Sequence, residues 1–243
     1  MPSTEFLFTL GATKRPALSI VMPVRNEALS LGAVLAALEP LLGRGAELVV
    51  VDGGSTDGTL ALAQTFCDAQ SATVLVSDPG RAMQMNAGAR LAAADVLLFL
   101  HADTYLPPDA DGLIASALAR NGAVWGRFDV QIEGQSPWLR VVAMLMNWRS
   151  RYTGIATGDQ ALFMTRAAFD QTGGFADQAL MEDIEMSSRL RRMSAPACLR
   201  AQVRTSGRRW DSRGVWRTVG LMWCLRLAYG LGVSPSRLAA WYR

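Results

Sequence analysis

Over its first hundred residues the chain alternates two patterns. Short, mainly apolar runs occupy Leu18–Val24, Glu47–Val51, Thr73–Val76 and the fully apolar Val96–Leu100. Between them, at Ala28–Leu42, Thr59–Phe66 and Ala82–Ala93, apolar residues return every three or four positions, and the first of these stretches ends at Gly43. Continuous Val, Leu and Ile runs alternating with helices predict strands buried on both faces. The expected class is therefore α/β, with a Rossmann-like, mostly parallel central sheet flanked by helices. Ligands of such sheets sit beyond the carboxyl ends of the strands. Polar clusters fall at that place here: Pro23–Glu27, Asp52–Thr59 and His101–Asp103 each follow a strand directly.

The second half is less regular. Val124–Ile132 alternates Arg127, Asp129 and Gln131 with apolar neighbours, which predicts a strand at a sheet edge. Pro137–Trp148 reads as a helix, Ala161–Thr165 as a strand, Arg166–Gln171 as a helical turn and Gly173-Gly174 as a break. Met181–Met193 follows as an amphipathic helix, Ala197–Val203 as a strand, and two apolar, Trp-rich helical patterns lie around Pro235. No linker is long enough to divide the chain. One domain is expected over residues 1–243: a nucleotide-binding half at about 16–104, an acceptor and catalytic half at about 105–210, and C-terminal helices at about 213–243.

Composition narrows the picture. With 243 residues, half of them hydrophobic, a sizeable core is expected. The net charge of +3 is carried almost wholly by arginine, since Lys14 is the one lysine among 24 basic residues. Arginine's planar fork suits phosphate. The excess is small, forms no long run, and lacks an aromatic-basic or helix-turn-helix pattern, so a nucleic-acid partner is not expected. Cys67, Cys198 and Cys224 are far apart and form no C-x-x-C pair, which predicts reduced thiols and a cytoplasmic location. Met1–Lys14 lacks the pattern of a signal peptide. The most apolar stretch, Val215–Val233, contains Arg217 and Arg226. Each would cost roughly 2.5–3.5 kcal/mol at a bilayer centre, which leaves a core helix or one lying peripherally on a membrane. Trp216 and Trp223 are expected to pack inside; Trp125 and Trp148 stay open between core and sugar platform.

Three segments carry candidate chemistry. In Val50–Thr59, glycines allow close backbone approach, and Asp52 offers a carboxylate suited to base N–H or ribose hydroxyl groups; a plain capped turn is the equal alternative. Neither G-x-G-x-x-G nor G-x-x-x-x-G-K-[ST] occurs, so dinucleotide and P-loop readings lack support. Asp103, at the mouth of a buried strand, can hold a divalent cation that bridges two phosphates. Beside it, His101 is the single histidine of the chain; imidazole suits manganese better than magnesium, and a structural role is the alternative. Glu182 and Asp183 open a helix, where acids either complement its dipole or act as general base. Arg208-Arg209-Trp210 could neutralise a leaving diphosphate or form a solvated turn.

Together these pieces resemble the inverting family 2 glycosyltransferases with the GT-A fold. The matching residues are Ser19–Glu27, Val51–Thr59, Asn86-Ala87-Gly88, Leu100–Thr104 at the D-x-D position, Gly173-Gly174-Phe175 and Glu182-Asp183, in order from about Leu18 to Arg192. The resemblance implies transfer of a sugar from a UDP- or GDP-linked donor to a small hydroxyl-bearing acceptor. Pro23, Arg25, Asn26, Glu27, Asp52, Arg81, Asn86 and Ala102 would form the nucleotide pocket. Asp103, with His101, would hold Mn²⁺ or Mg²⁺ at the diphosphate, and Asp183 beside Glu182 would be the base. Gly158, Asp159 and Gln160 would face the acceptor; Arg208, Arg209 and Trp210 would face the diphosphate. The chain departs from the family at Gly53, often a second Asp, and at His101, usually the first Asp of D-x-D. Only Arg209-Trp210 echoes the Q-x-x-R-W of processive members. The string Gly80-Arg81-Ala82, Gly158–Gln160, Met181–Asp183 and Arg208–Trp210 is similar to a bacterial subfamily associated with radical-SAM and selenodomain proteins and with arsenosugar biosynthesis. Two further readings remain beside it: transfer to a polyprenyl phosphate at a membrane surface, and a nucleotide-binding relative without activity.

Overall fold

A computed structural model describes residues 15–242 apart from Ser71 and Asn121; the expectation for Met1–Lys14 lies outside the described residues. The first half carries the expected alternation: β1 Ser19–Val24, α1 Ala28–Gly43, β2 Glu47–Asp52, α2 Thr59–Ala69, β3 Ala72–Val76, α3 Arg81–Leu91 and β4 Val96–Phe99. Then come β5 Thr104–Tyr105, α4 Ala110–Leu118, β6 Trp125–Glu133, α5 Trp138–Thr153, a 3₁₀ turn at Gly158–Gln160, β7 Leu162–Thr165 and α6 Arg166–Thr172. The last elements are α7 Glu182–Leu190, β8 Ala197–Ser206, α8 Arg208–Arg213, α9 Val215–Gly230 and α10 Pro235–Tyr242.

The eight strands form one sheet in the order β3-β2-β1-β4-β7-β6-β8-β5. The first four run parallel, β7 is antiparallel to both β4 and β6, and β6 runs parallel to β8. The apolar runs follow from burial on both faces. Ile20, Met22, Leu48, Val50 and Leu98 pack into one layer with α1, while Val21, Val49, Val51, Leu97 and Phe99 pack into the other with α3. On that second side α3 approaches the sheet at Gly88, where a Cβ would meet Val21 Cγ1 at 2.5 Å and Val51 Cγ2 at 2.9 Å. Gly88→Ala should therefore overpack the helix–sheet contact and lose about 1–3 kcal/mol, read as a lower denaturation midpoint.

Two expectations are corrected. The strand expected at a sheet edge, now β6, lies between β7 and β8. Two of its three alternating polar residues form a buried network, Gln131 alone being exposed: Arg127 is fully buried and donates to Asp129, which also accepts from Arg151 at 2.9 and 2.8 Å. Asn147 of α5 completes the network by exchanging hydrogen bonds with both backbone groups of Val130. A period of two cannot distinguish water from a buried ion pair, because both satisfy charge. The second correction concerns α9, whose Trp216 and Trp223 are 64% and 74% exposed instead of packed. Trp125, left open by sequence, is buried and donates its indole N–H to Ser194 O at 3.0 Å, so it presents no face to a sugar. Among the described residues no helix is long and apolar enough to cross a membrane.

Candidate active site

The carboxyl ends of β1, β2 and β4 finish side by side. Val24 is in register with Asp52, Gly53 N–H donates to Val24 O at 3.0 Å, and Leu100 N–H donates to Val21 O at 3.0 Å. The loops that follow β1 and β2 are stitched together. Asn26, held at φ 54°, donates its N–H to Ser55 Oγ, and its Oδ1 accepts from Thr56 N–H at 2.8 Å. Glu27 N–H donates to Thr59 Oγ1 and Ala28 N–H to Asp57 Oδ2. Hydrogen bonds from Thr59 and Ala28 hold the Asp57 carboxyl below its ordinary value.

Asp52 serves two purposes in this geometry. Its Oδ1 accepts from Gly54 and Ser55 N–H, both at 2.9 Å, which makes the turn; its Oδ2 is buried and has no partner. An orphaned carboxylate oxygen at a strand end calls for a donor from outside the chain. Gln84 of α3, which sequence reasoning missed, braces the same corner by donating to Val24 O at 2.8 Å and Val51 O at 2.7 Å. Its amide fills the space beside Gly53, where a Cβ would meet Gln84 Cδ at 2.8 Å. The glycine that departs from the family pattern is thus the residue this packing requires.

Arg81, the first residue of α3, gathers the acidic side chains. It donates to Glu182 Oε1 at 3.4 Å, and its charge lies within electrostatic reach of Asp159, Asp183 and Asp103. Burial works against its charge, but these carboxylates outweigh it and raise the guanidinium above its ordinary value. Asp183 is held by backbone N–H groups on both oxygens, from Gly158 to Oδ2 at 2.8 Å and from Ile184 to Oδ1 at 2.7 Å. Burial, and then the neighbouring charge of Glu182, push its carboxyl up to about 6. That value suits a group that must take a proton near neutral pH. For Asp159, burial pushes upward, but the hydrogen bond from His101 and the charges of His101, Arg81 and Arg209 hold it below the usual range.

The far wall comes from α8. Arg208 donates to Glu27 Oε2 at 3.1 Å, tying α8 to the loop after β1. Arg209 stacks over the Tyr242 ring at 4.5 Å and feels the charges of Asp159 and Asp103; burial and Arg81 lower its guanidinium. Loops after β1 and β4, the start of α3, the 3₁₀ turn, the start of α7 and α8 are thus linked by hydrogen bonds and charge interactions into one neighbourhood.

Several sequence candidates have different partners. Asn86 uses both ends of its amide on the Phe175 backbone, at 2.8 Å each, and holds the Gly174 turn. Gln160 is buried, closes a capping box with Thr157 and donates to Asn147 Oδ1. Ala102 packs in the core, and Trp210 packs partly buried against it. Arg25 is exposed beside the half-buried Pro23. His101 places Nδ1 3.3 Å from Asp159, and its ring abuts Gly158 so closely that a side chain at 158 would collide with it. Among the described residues no three His, Cys, Asp or Glu side chains gather as a closed cation cage. Asp103 accepts from Thr104 Oγ1 at 3.3 Å and, among the described residues, has no ion pair. A lone carboxylate fits a cation that takes its remaining ligands from substrate phosphates and water.

Sequence reasoning also missed Arg149. Its Nε and one terminal nitrogen are buried without hydrogen-bond partners, and burial lowers the guanidinium while Asp183 supports its charge. In an amphipathic helix it reads as one more surface arginine. Glu182 and Arg149 thus bias Asp183 in opposite senses. In a pH profile of kcat/KM, Glu182→Gln should move the acid limb to lower pH, and Arg149→Gln should move it to higher pH.

Comparison with known proteins agrees with this architecture. An undecaprenyl-phosphate 4-deoxy-4-formamido-L-arabinose transferase of Pseudomonas aeruginosa is 33% identical over 150 residues, covering 58% of this chain and 44% of the relative. The chain thus spans less than half the length of that protein. Among solved structures, a mannosyltransferase from Pyrobaculum calidifontis in complex with GDP-Man and Mn²⁺ superposes with a TM-score of 0.65 at 20% identity, covering 95% of this chain and 70% of that one. TarS 1-349 of S. aureus in complex with UDP-GlcNAc gives 0.62 at 16% identity, covering 78% and 58%. The fold is that of the GT-A glycosyltransferases. The glycosyl transferase family 2 model matches residues 19–175, from β1 to the Gly-Gly-Phe turn that Asn86 holds, and the chain belongs to that family.

Proposed function

We propose that this glycosyltransferase moves a sugar from a nucleoside-diphosphate donor to a hydroxyl-bearing acceptor, with inversion. The observation that carries the reading is the reach of Arg81, whose charge acts on Asp103, Asp159, Glu182 and Asp183 together. The nucleoside lies across the ends of β1 and β2, where Pro23, Asn26, Glu27 and the unpaired Oδ2 of Asp52 take the base and ribose. Asp103 would hold a divalent cation, Mn²⁺ or Mg²⁺, which when bound would neutralise charge on the diphosphate. His101, engaged with Asp159, is assigned to positioning that side chain and not to the cation.

Asp183 accepts the proton of the acceptor hydroxyl. The acceptor oxygen bonds to the anomeric carbon as the carbon–oxygen bond to the diphosphate breaks, and Arg209 with Arg208 faces the departing charge. Arg149, whose buried nitrogens have no hydrogen-bond partner, favours the charged form of Asp183 against burial and Glu182. The segments on which the resemblance to the arsenosugar-associated subfamily rests contribute Arg81, Asp159, Asp183 and Arg209 to this neighbourhood, which makes an arsenical acceptor one candidate. Turnover with a panel of UDP- and GDP-sugars against hydroxylated acceptors, a hydroxylated arsenical among them, tests the reading. Transfer from one donor class is expected; hydrolysis or binding without transfer to any acceptor would overturn it.

A further inference from the structure

The helix α9 is apolar on two sides, and only one of them is covered. Leu225 faces inward and packs with Met181 and Leu238, joined by the half-buried Leu221 and Met222. The opposite side presents Trp216, Trp223 and Leu227, with Leu231 just past the helix end, all at least 64% exposed. A helix apolar all round belongs inside a protein or against an apolar phase. A second helix repeats the arrangement. Along α5, Trp138, Val141, Leu145, Trp148 and Tyr152 recur at three- and four-residue spacing and are all exposed. The two rows are continuous, because Trp138 and Trp216 pack ring to ring at 5.2 Å between centroids.

Charge identifies the occupant. The three helices α5, α9 and α10 carry no aspartate or glutamate, and with Arg149 turned to Asp183 and Arg151 paired to Asp129 they still present Arg140, Arg217, Arg226 and Arg237. The chain as a whole has 24 basic and 21 acidic residues, so outside these helices the acids outnumber the basic residues. Tryptophans in rows beside arginines, without carboxylates, fit the boundary between acyl chains and anionic headgroups. We propose that the continuous face of α5 and α9 docks on an anionic lipid bilayer, lying in the interface without crossing it. This goes beyond the transfer reaction and does not depend on it. The docking helix is nevertheless tied to the site, since Leu225 and Leu238 pack against Met181, which immediately precedes Glu182 and Asp183. Met181 sits at φ 70°, so its backbone conformation is held by that packing.

Flotation with phosphatidylglycerol-containing vesicles, against vesicles of phosphatidylcholine alone, tests the proposal with the chain as it stands. Binding to the anionic vesicles is expected. The double substitution Trp223→Ser, Leu227→Ser should weaken it by about tenfold or more, as loss of interfacial apolar area requires. Arg217→Gln should weaken it and make the remainder less salt-sensitive. Both variants alter exposed side chains, and unchanged nucleoside-diphosphate binding and unfolding midpoints would certify their fold. The proposal is overturned if wild-type protein stays with the unbound fraction, or if the double variant floats equally well. It is also overturned if sedimentation without lipid shows a dimer that the double variant dissociates, because the face would then belong to a second copy.

Discussion

Asp183→Asn is expected to lower kcat by roughly 10²–10⁴-fold, the usual contribution of a well-placed general base. Binding of the nucleoside diphosphate should be unchanged, since Asp183 is anchored by the Gly158 and Ile184 backbone and its proposed role is toward the acceptor alone. The pH profile carries the more specific signature. Burial and Glu182 raise the Asp183 carboxyl to about 6, so the fraction of ionised base, and with it kcat/KM, should rise through pH 6 and level off above it. Sign matters here. A carboxyl at its ordinary value would give full activity already at pH 5, whereas the raised group is mostly protonated there and activity should be low. Asp183→Asn should remove this limb together with the rate. Asp183→Glu keeps a carboxylate but lengthens it past the two backbone donors, so partial activity with a displaced limb is expected.

The second large effect concerns Asp103. Chelation of divalent cations should abolish transfer, and Mn²⁺ or Mg²⁺ should restore it. In Asp103→Asn the restored rate should fall by about 10²–10³-fold, on the scale of losing one charge-stabilising group in a catalytic site. No nearby carboxylate stands in as a replacement: Asp159 is committed to His101, and Glu182 to Arg81. Higher metal concentration should recover part of the Asp103→Asn activity, while His101→Ala should leave the metal requirement in place. An Asp103 variant with wild-type metal dependence would remove this residue from the site.

The sheet was legible because β1, β2 and β4 are buried on both faces, so hydrophobicity alone dictated their sequence. The rule that ligands gather at strand ends then pointed to Asp52 and Asp103 before any contact was known. Elsewhere the sequence lacked the deciding physical signal. β5 pairs only two residues with β8, too few to show a period. β6 wrote a buried ion-pair network in the same alternation that a solvent-facing strand would write. Trp216 and Trp223 looked like core because apolar character says nothing about which apolar phase it meets. Within the site, Asp183 was legible with Glu182 as an acid at a helix start, while Arg81 and Asp159 came from motif resemblance. Gln84 and Arg149 could not, since a helical glutamine bracing two carbonyls and an unpaired helical arginine look like ordinary surface residues until the fold encloses them.

The central claim is that one carboxylate loads the diphosphate with a cation while another, across Arg81, serves the acceptor. Calorimetric titration of uridine and guanosine diphosphates, with and without Mn²⁺, into wild type, Asp103→Asn and Asp183→Asn separates the two roles in one measurement. The account predicts that Mn²⁺ strengthens binding of one diphosphate to the wild type and to Asp183→Asn, and that Asp103→Asn loses this gain. Binding indifferent to Mn²⁺ in the wild type, or an equal loss in both variants, would contradict it.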